Sequence, residues 1–401
     1  MPACASSSDR LGVKGFVAAL VALLLAACAT PGGGPVRAPI CQGAGFSIDI
    51  GFAASGIHRC VIAPDGSAVI SVDHEPAVVE GINPSPWFAF RVKSAGQHTL
   101  KVTLDYTDYT HRYLPWTRTG ETGAWMQLAE DRVVLNEKKT RATLTLDAPR
   151  GVMMVAGQPV SASADNIAWT TEAVKAQGFA RSAYGKSFRG RALVGFAGDG
   201  ASGDGALVIL TRQHPPETTG QEAYRAFVRQ LMQRDDQAAK DFRAKHRIVL
   251  APMPNPDGVD KGHWRLNDGG VDLNRDWGPF TQPETKALSQ WILKETAGRR
   301  TVAFMDFHST FKSVIYAPPL DASSPTIAFL PFLEQRFKER LAAAPEWSYA
   351  HNVNGGTSKG WSLEKLQAPG ITVELWDQIP SADARALGVA AADAVIDYFA
   401  R

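Results

Sequence analysis

Two spacings of apolar residues divide this chain. From Gly45 to about Arg150, apolar and β-branched residues come in short runs with a period near two: Phe46-Ser-Ile-Asp-Ile, Cys60-Val-Ile-Ala, Ala68-Val-Ile-Ser-Val, Trp87-Phe-Ala-Phe-Arg-Val, His98-Thr-Leu-Lys-Val-Thr-Leu and Thr143-Leu-Thr-Leu. Alternation puts successive side chains on opposite faces of a strand. Pro64-Asp-Gly, between the second and third runs, predicts a hairpin turn. No helical period persists, so residues 41–150 read as a small all-β sandwich domain.

From about residue 151 the period changes, and short apolar runs alternate with amphipathic stretches. Strands are expected at Ala192–Phe196, Ala206–Thr211, Arg247–Ala251, Thr301–Asp306, Ser313–Ala317 and Ile371–Leu375. Helices are expected over 219–234, 282–297, 326–343 and 382–400, the second opened by a Thr281-x-x-Glu284 capping box with Pro283 in its first turn. This alternation predicts an α/β domain over 151–401, a mostly parallel mixed sheet flanked by helices.

The first residues follow neither pattern. Arg10 and Lys14 precede an apolar run from Phe16 to Leu25, shorter than a membrane span, which ends Leu25-Ala-Ala-Cys28. That ending resembles a bacterial lipobox, so residues 1–27 are expected to be a signal peptide and Cys28 to carry lipid. Residues 28–40, rich in Gly and Pro, read as a flexible tether. The expected address is the cell envelope, lipid-anchored and facing the periplasm; Ala29 after the cysteine resembles the outer-membrane sorting pattern. Of four cysteines, Cys4 leaves with the signal, and Cys41 and Cys60 remain to form a disulfide in an oxidising compartment.

At 401 residues and 45% hydrophobic, the chain can bury two domains. A net charge of +2 with mixed signs argues against a nucleic-acid partner.

The chemistry gathers at strand ends. Leu207–Leu210 leads to His214-Pro-Pro-Glu217, and an imidazole and a carboxylate three residues apart in a proline-held loop can seat Zn²⁺. Val302-Ala-Phe-Met-Asp-Phe-His308 leads to a second histidine, and Ile371-Thr-Val-Glu374 carries a glutamate near a strand end. Ligands of open α/β sheets bind beyond the carboxyl ends of strands, where all four side chains fall. Two histidines and one carboxylate leave a fourth zinc position open, which marks a catalytic site. Glu374 is then the spare carboxylate, free to act as general base. His58, His74, His98, His111, His246 and His263 stand in no such cluster and read as packing or surface residues, with His263 alone close enough to Arg265 to touch substrate.

Between these segments lie Asn255-Pro-Asp-Gly-Val, Trp264-Arg265 and Gly270-Val-Asp-Leu-Asn274-Arg275, with Gly185-Lys-Ser…Gly190-Arg before them. In this order they resemble the M14 zinc carboxypeptidase superfamily over about residues 180–400. The β domain in front, with Arg112-Tyr-Leu-Pro-Trp116, makes the chain look closest to the cytosolic-carboxypeptidase branch and its bacterial relatives. The resemblance implies one zinc per chain on His214, Glu217 and His308, with Glu374 as the catalytic glutamate. It implies Arg265 as the oxyanion-stabilising arginine, Asn274 and Arg275 as the grip on the substrate's terminal carboxylate, and Asp272 as the carboxylate orienting the first zinc histidine.

Where the family carries a tyrosine before a Gly-Gly pair, this chain has Tyr349-Ala-His351-Asn-Val-Asn-Gly355-Gly356. The aligned residue is His351; it or Tyr349 takes the closing part, or neither does. With a one-residue insertion after Gly356, Lys359 falls on the position that lines the pocket for the substrate's last side chain, which favours an acidic residue. Gly356-Thr-Ser358-Lys-Gly360 also fits a nucleophile elbow, but no strand precedes it and no histidine follows His351, so a serine hydrolase is rejected. The expected activity is a zinc metallocarboxypeptidase acting on peptides with a free carboxylate. The alternatives are a periplasmic zinc amidase of cell-wall peptides and a non-catalytic binding module.

Overall fold

The two apolar spacings become two kinds of sheet. The structure, a computed structural model, describes residues 40–57, 59–73, 75, 84–198, 200, 203–352 and 354–400. The expected signal peptide, Cys28, the tether up to residue 39, His58 and His74 lie outside the described residues. Among the described residues, no helix is long and apolar enough to cross a membrane.

The period-two half forms two facing sheets. One runs Cys41–Gly43, Phe46–Asp49, Ala89–Ser94, Gly151–Ala156, Trp116–Thr119, Met126–Gln127; the other runs Arg59–Ile62, Ala68–Ser71, His98–Asp105, Arg141–Ala148, Val133–Leu135. Alternation does what it predicts: Leu100, Val102 and Leu104 of one strand and Leu144 and Leu146 of its neighbour point into one buried cluster with Ile48, Phe90 and Val92 of the facing sheet. Cys41 and Cys60 are joined by a disulfide, Cα–Cα 5.5 Å. The last sandwich strand is Gly151–Ala156, which lies beyond the expected boundary at 150. Its run of buried apolar residues reads equally well as either kind of strand, and it pairs on both sides within the sandwich.

The second half is an eight-stranded mixed sheet, ordered Ala180–Lys186, Ala192–Gly198, His246–Ala251, Gly205–Thr211, Arg300–Thr310, Gly370–Trp376, Val314–Ala317, Glu346–Tyr349. Its central pairings are parallel, and the outer ones on the amino-terminal side are antiparallel. The Gly205–Thr211 strand is buried throughout: Leu207 and Ile209 join the cluster under helices Thr218–Gln233 and Ser381–Phe399, while Val208 and Leu210 join Leu288, Trp291 and Trp361 on the other face.

Four helices were not legible from spacing: Ser163–Val174, Gln237–Lys245, Pro256–Lys261 and Ser358–Leu366. The expected capping box at Thr281 does not form. The helix starts at Pro283 with Gln282 as N-cap, because the Asp276 carboxylate accepts from Thr281 N, Thr281 Oγ1 and Gln282 N, while Glu284 turns to Phe188 N.

The two halves pack as one compact unit. Trp264 belongs to the sandwich core, edge-on to Tyr109 at 5.1 Å, although its neighbour Arg265 pairs with Asp272 of the α/β half.

Candidate metal centre

The strand Gly205–Thr211 ends in a turn held from inside. Arg212 stands at φ 62°, a left-handed conformation that costs a non-glycine residue on the order of 1 kcal/mol. Its guanidinium is buried and donates to Pro215 O at 2.7 Å, to Ser161 O at 3.1 Å and to Gln221, which pins the turn. The chain then presents His214 and Glu217 over the strand ends, with Glu217 at the start of helix Thr218–Gln233.

His308 comes from the strand Arg300–Thr310, and it completes the group. His214 Nδ1 lies 2.8 Å from Glu217 Oε1, His308 Nδ1 lies 2.7 Å from Glu217 Oε2, and the two Nδ1 atoms are 3.2 Å apart. All three residues are buried, and one donor atom from each lies within 4.8 Å of the others. The far nitrogen of each ring meets a carboxylate: His214 Nε2 at 2.9 Å from Asp272 Oδ1, and His308 Nε2 at 2.9 Å from Asp306 Oδ2. A carboxylate on each Nε2–H leaves the Nδ1 lone pairs aimed at one point, the donor set and outer support that zinc takes. Burial disfavours charge on His308, yet Asp306 and Glu217 raise its pKa well above the ordinary value. Burial likewise opposes charge on Glu217, but the two histidines hold its carboxyl well below the usual range. Two neutral imidazole nitrogens and an ionised carboxylate together are a donor set suited to a divalent cation.

Glu374 stands beside His308 in the parallel register, so both side chains share one face of the sheet. Its Oε2 is buried and has no hydrogen-bond partner among the described residues. Burial raises its carboxyl to about 7, with Glu217 adding to the rise and the histidines opposing it.

The arginine and asparagine segment folds around Asp272. Its Oδ1 accepts from Asn274 N at 2.9 Å as well as from His214, and its Oδ2 accepts from Arg265 Nε at 2.7 Å. Asn274 Oδ1 accepts from Ser358 N at 2.9 Å, and Arg275 Nη1 donates to Asn274 O at 2.8 Å. Asn255 caps the helix Pro256–Lys261 through Gly258 N and donates to Gln213 O and Leu266 O, which ties the His214 loop to the Arg265 loop. The Asn-Pro-Asp-Gly motif is therefore a brace between site segments.

Lys359 is buried, with Nζ 5.9 Å from the centre of the Tyr316 ring. Burial and Arg275 lower its pKa to about 8, against the pull of Glu374 and Asp306. His351 is exposed and stacks on Tyr316, ring centres 4.5 Å apart. Tyr349 points elsewhere, its hydroxyl donating to Glu334 at 2.7 Å. Ser358 donates to Asp306 at 2.6 Å, a buried brace. His111 packs against Tyr106, and His246 stacks on Phe242 at 4.2 Å. His263 Nδ1 lies 3.2 Å from Leu266 O, and the ring approaches Glu75 and Asp268.

Sequence reasoning gave no role to Asp306, although a carboxylate two residues before His308 on a strand must share its face. It also missed two sandwich residues. Glu75 accepts from Arg265 N at 3.0 Å and from the amides of Trp264 and Leu266, clasping the loop that carries the arginine. Arg112 binds Asp377 through two nitrogens at 2.8 and 2.7 Å, three residues past Glu374, and Gln158 donates to Asp377 O. No local pattern marks such contacts, because their partners lie 190 and 265 residues away.

The convergent side chains lie within residues 171–382, which match the model of the peptidase M14 family, zinc carboxypeptidase, and the chain belongs to that family. Human cytosolic carboxypeptidase-like protein 5 is 39% identical over 67 residues, 17% of this chain and 8% of that protein. An uncharacterised protein of Zymomonas mobilis is 38% identical over 69 residues, 17% of this chain and 18% of that protein. The chain thus matches less than a fifth of the length of these curated relatives. A metallo-carboxypeptidase structure from Burkholderia cenocepacia has TM-score 0.72 at 17% identity, covering 88% of this chain and 98% of its own. One from Pseudomonas aeruginosa, in complex with (2-guanidinoethylmercapto)succinic acid, has TM-score 0.67 at 19% identity, covering 87% and 98%. These likenesses show the fold, sandwich included.

Proposed function

We propose that this chain is a zinc-dependent carboxypeptidase that removes the last residue of a peptide and prefers an acidic one. The observation that carries this reading is the meeting of His214 Nδ1, His308 Nδ1 and the Glu217 carboxylate beside the unpartnered Glu374 oxygen. Zinc held there would lower the pKa of water and polarise the scissile carbonyl. Glu374 takes the proton from the attacking water and returns it to the leaving amine, a role suited to a carboxyl near 7. Arg265, held by Asp272 and by the Glu75 clasp, stabilises the oxyanion. Arg275 grips the terminal carboxylate, helped by the side-chain amide of Asn274.

Lys359 supports the acidic preference, since a buried ammonium beside Arg275 gains from an anionic side chain. His351, exposed and stacked on Tyr316, takes the closing part over substrate in this reading, since the Tyr349 hydroxyl is engaged by Glu334. The lipobox-like ending at Cys28 supports export and lipid anchoring at the periplasmic face of the envelope. Cys28→Ser should leave the protein unacylated and free of membranes. The activity is tested by comparing release of C-terminal Glu, Leu and Lys from matched peptides. Wild type should favour Glu, and Lys359→Glu should move the preference toward Lys; no preference in wild type sinks the pocket assignment.

A further inference from the structure

A second recess lies between the sandwich and the helices of the α/β half. It encloses about 390 Å³, and none of His214, Glu217, His308 or Glu374 lines it. Trp116 and Trp125 line it from the sandwich, Trp169 from helix Ser163–Val174, Arg225 and Arg229 from Thr218–Gln233, and Arg385 from Ser381–Phe399. We propose that this groove is a binding site for an acidic carbohydrate, an oligosaccharide whose sugars carry carboxylates, separate from the hydrolytic centre.

The charge balance points to an anion. Arg225 and Arg229 stand one helical turn apart, where like charges repel. Their guanidinium carbons lie 5.4 and 5.6 Å from the centre of the same ring, that of Trp169. Among the described residues neither forms an ion pair; Arg225 Nε donates only to the Asn166 amide oxygen at 2.9 Å. Glu222, the acid in the lining, is already taken by Arg385 at 2.6 Å and Ser381 at 3.0 Å. The groove therefore holds two arginines that the fold brings together with no carboxylate in contact among the described residues, Asp165 and Glu222 acting on Arg225 only through space.

The three indoles select among anions. A sugar ring has a rigid apolar C–H face that packs on indole, while its hydroxyls stay hydrated and a carboxylate fits the guanidinium fork. An acidic peptide supplies the carboxylates but has no rigid face to match three tryptophans. The volume lies in the range of small-molecule sites.

The test uses the whole protein, with binding followed by calorimetry and by tryptophan emission. Tetragalacturonate should bind and shift the emission, and its methyl ester should bind at least about tenfold more weakly, the worth of a charge-assisted hydrogen bond. Arg229→Ala, at an exposed position, and Trp125→Ala should each weaken binding by about tenfold and leave release of peptide C-terminal residues unchanged. Circular dichroism establishes that both variants are folded. The proposal is overturned if folded wild type fails to bind tetragalacturonate at millimolar concentration, or if neither substitution changes the affinity. Equal binding of tetraglutamate would also overturn it, making the groove an acidic-peptide surface.

Discussion

The sandwich and the α/β half bury polar groups in opposite ways. In the sandwich, His98–Asp105 and Arg141–Ala148 turn leucine and valine inward and keep Lys101, Arg141 and Asp147 in water. In the α/β half, the strand Arg300–Thr310 buries Asp306 and His308 completely, and His214, Glu217 and Asp272 pack against them. A buried ionic group costs several kcal/mol unless its charge is matched. A region that gathers five such groups at strand ends is built around charge neutralisation, and that is where chemistry belongs. The sandwich's own buried charges fit the same rule, since Arg112 reaches across to Asp377.

The comparison breaks most readily at Glu374. Glu374→Gln should lose on the order of 10²–10⁴ in kcat while keeping the metal, because the amide cannot take a proton. Near-native turnover in that variant would show that the unpartnered oxygen is idle. The next largest effect belongs to the sandwich alone. Replacing Cys41 and Cys60 by serine should lower its stability by about 3 kcal/mol, given the 19-residue separation, and leave kcat at low temperature unchanged. Denaturant unfolding alongside an activity assay reads both quantities.

Arg112→Ala asks whether the halves are independent. If Arg112 positions the chain after Glu374, kcat should fall by about tenfold with little change in KM, and Arg112→Lys should restore part of it. Equal activity in both variants would make the sandwich an appendage.

The smallest effect is in pH. Lys359 is charged below its depressed value of about 8 and neutral above it. The preference for a terminal Glu over Leu in kcat/KM should fade as pH rises through 8, and a preference that strengthens would contradict the assignment.

Much of this was legible in the residues. His214, Glu217, His308 and Glu374 could be placed because each follows or ends a strongly apolar run, and period two marked the sandwich strands. The brace residues were not legible. Asp306 hid within its strand as an ordinary terminal polar residue, and Glu75 and Arg112 sit in loops whose partners are fixed only by the packing of one half on the other. Spacing does not reveal the helix Ser163–Val174, because its apolar stripe is weak and its buried face includes Asn166 and Thr170, polar groups satisfied by Pro252 O and by its own backbone. Tyr349 and His351 could be told apart only by direction, since the first donates to Glu334 and the second stacks on Tyr316.

Zinc titration of metal-free protein across pH tests the central claim most directly. In the metal-free protein Asp306 and Glu217 favour the protonated form of His308, so zinc must displace that proton. Wild type should bind one zinc per chain, with affinity falling by about tenfold or more for each unit the pH is lowered below neutrality, and folded His308→Ala should lose tight binding and hydrolysis together. Full hydrolysis by metal-free wild type, or undiminished zinc affinity in His308→Ala, would contradict the account.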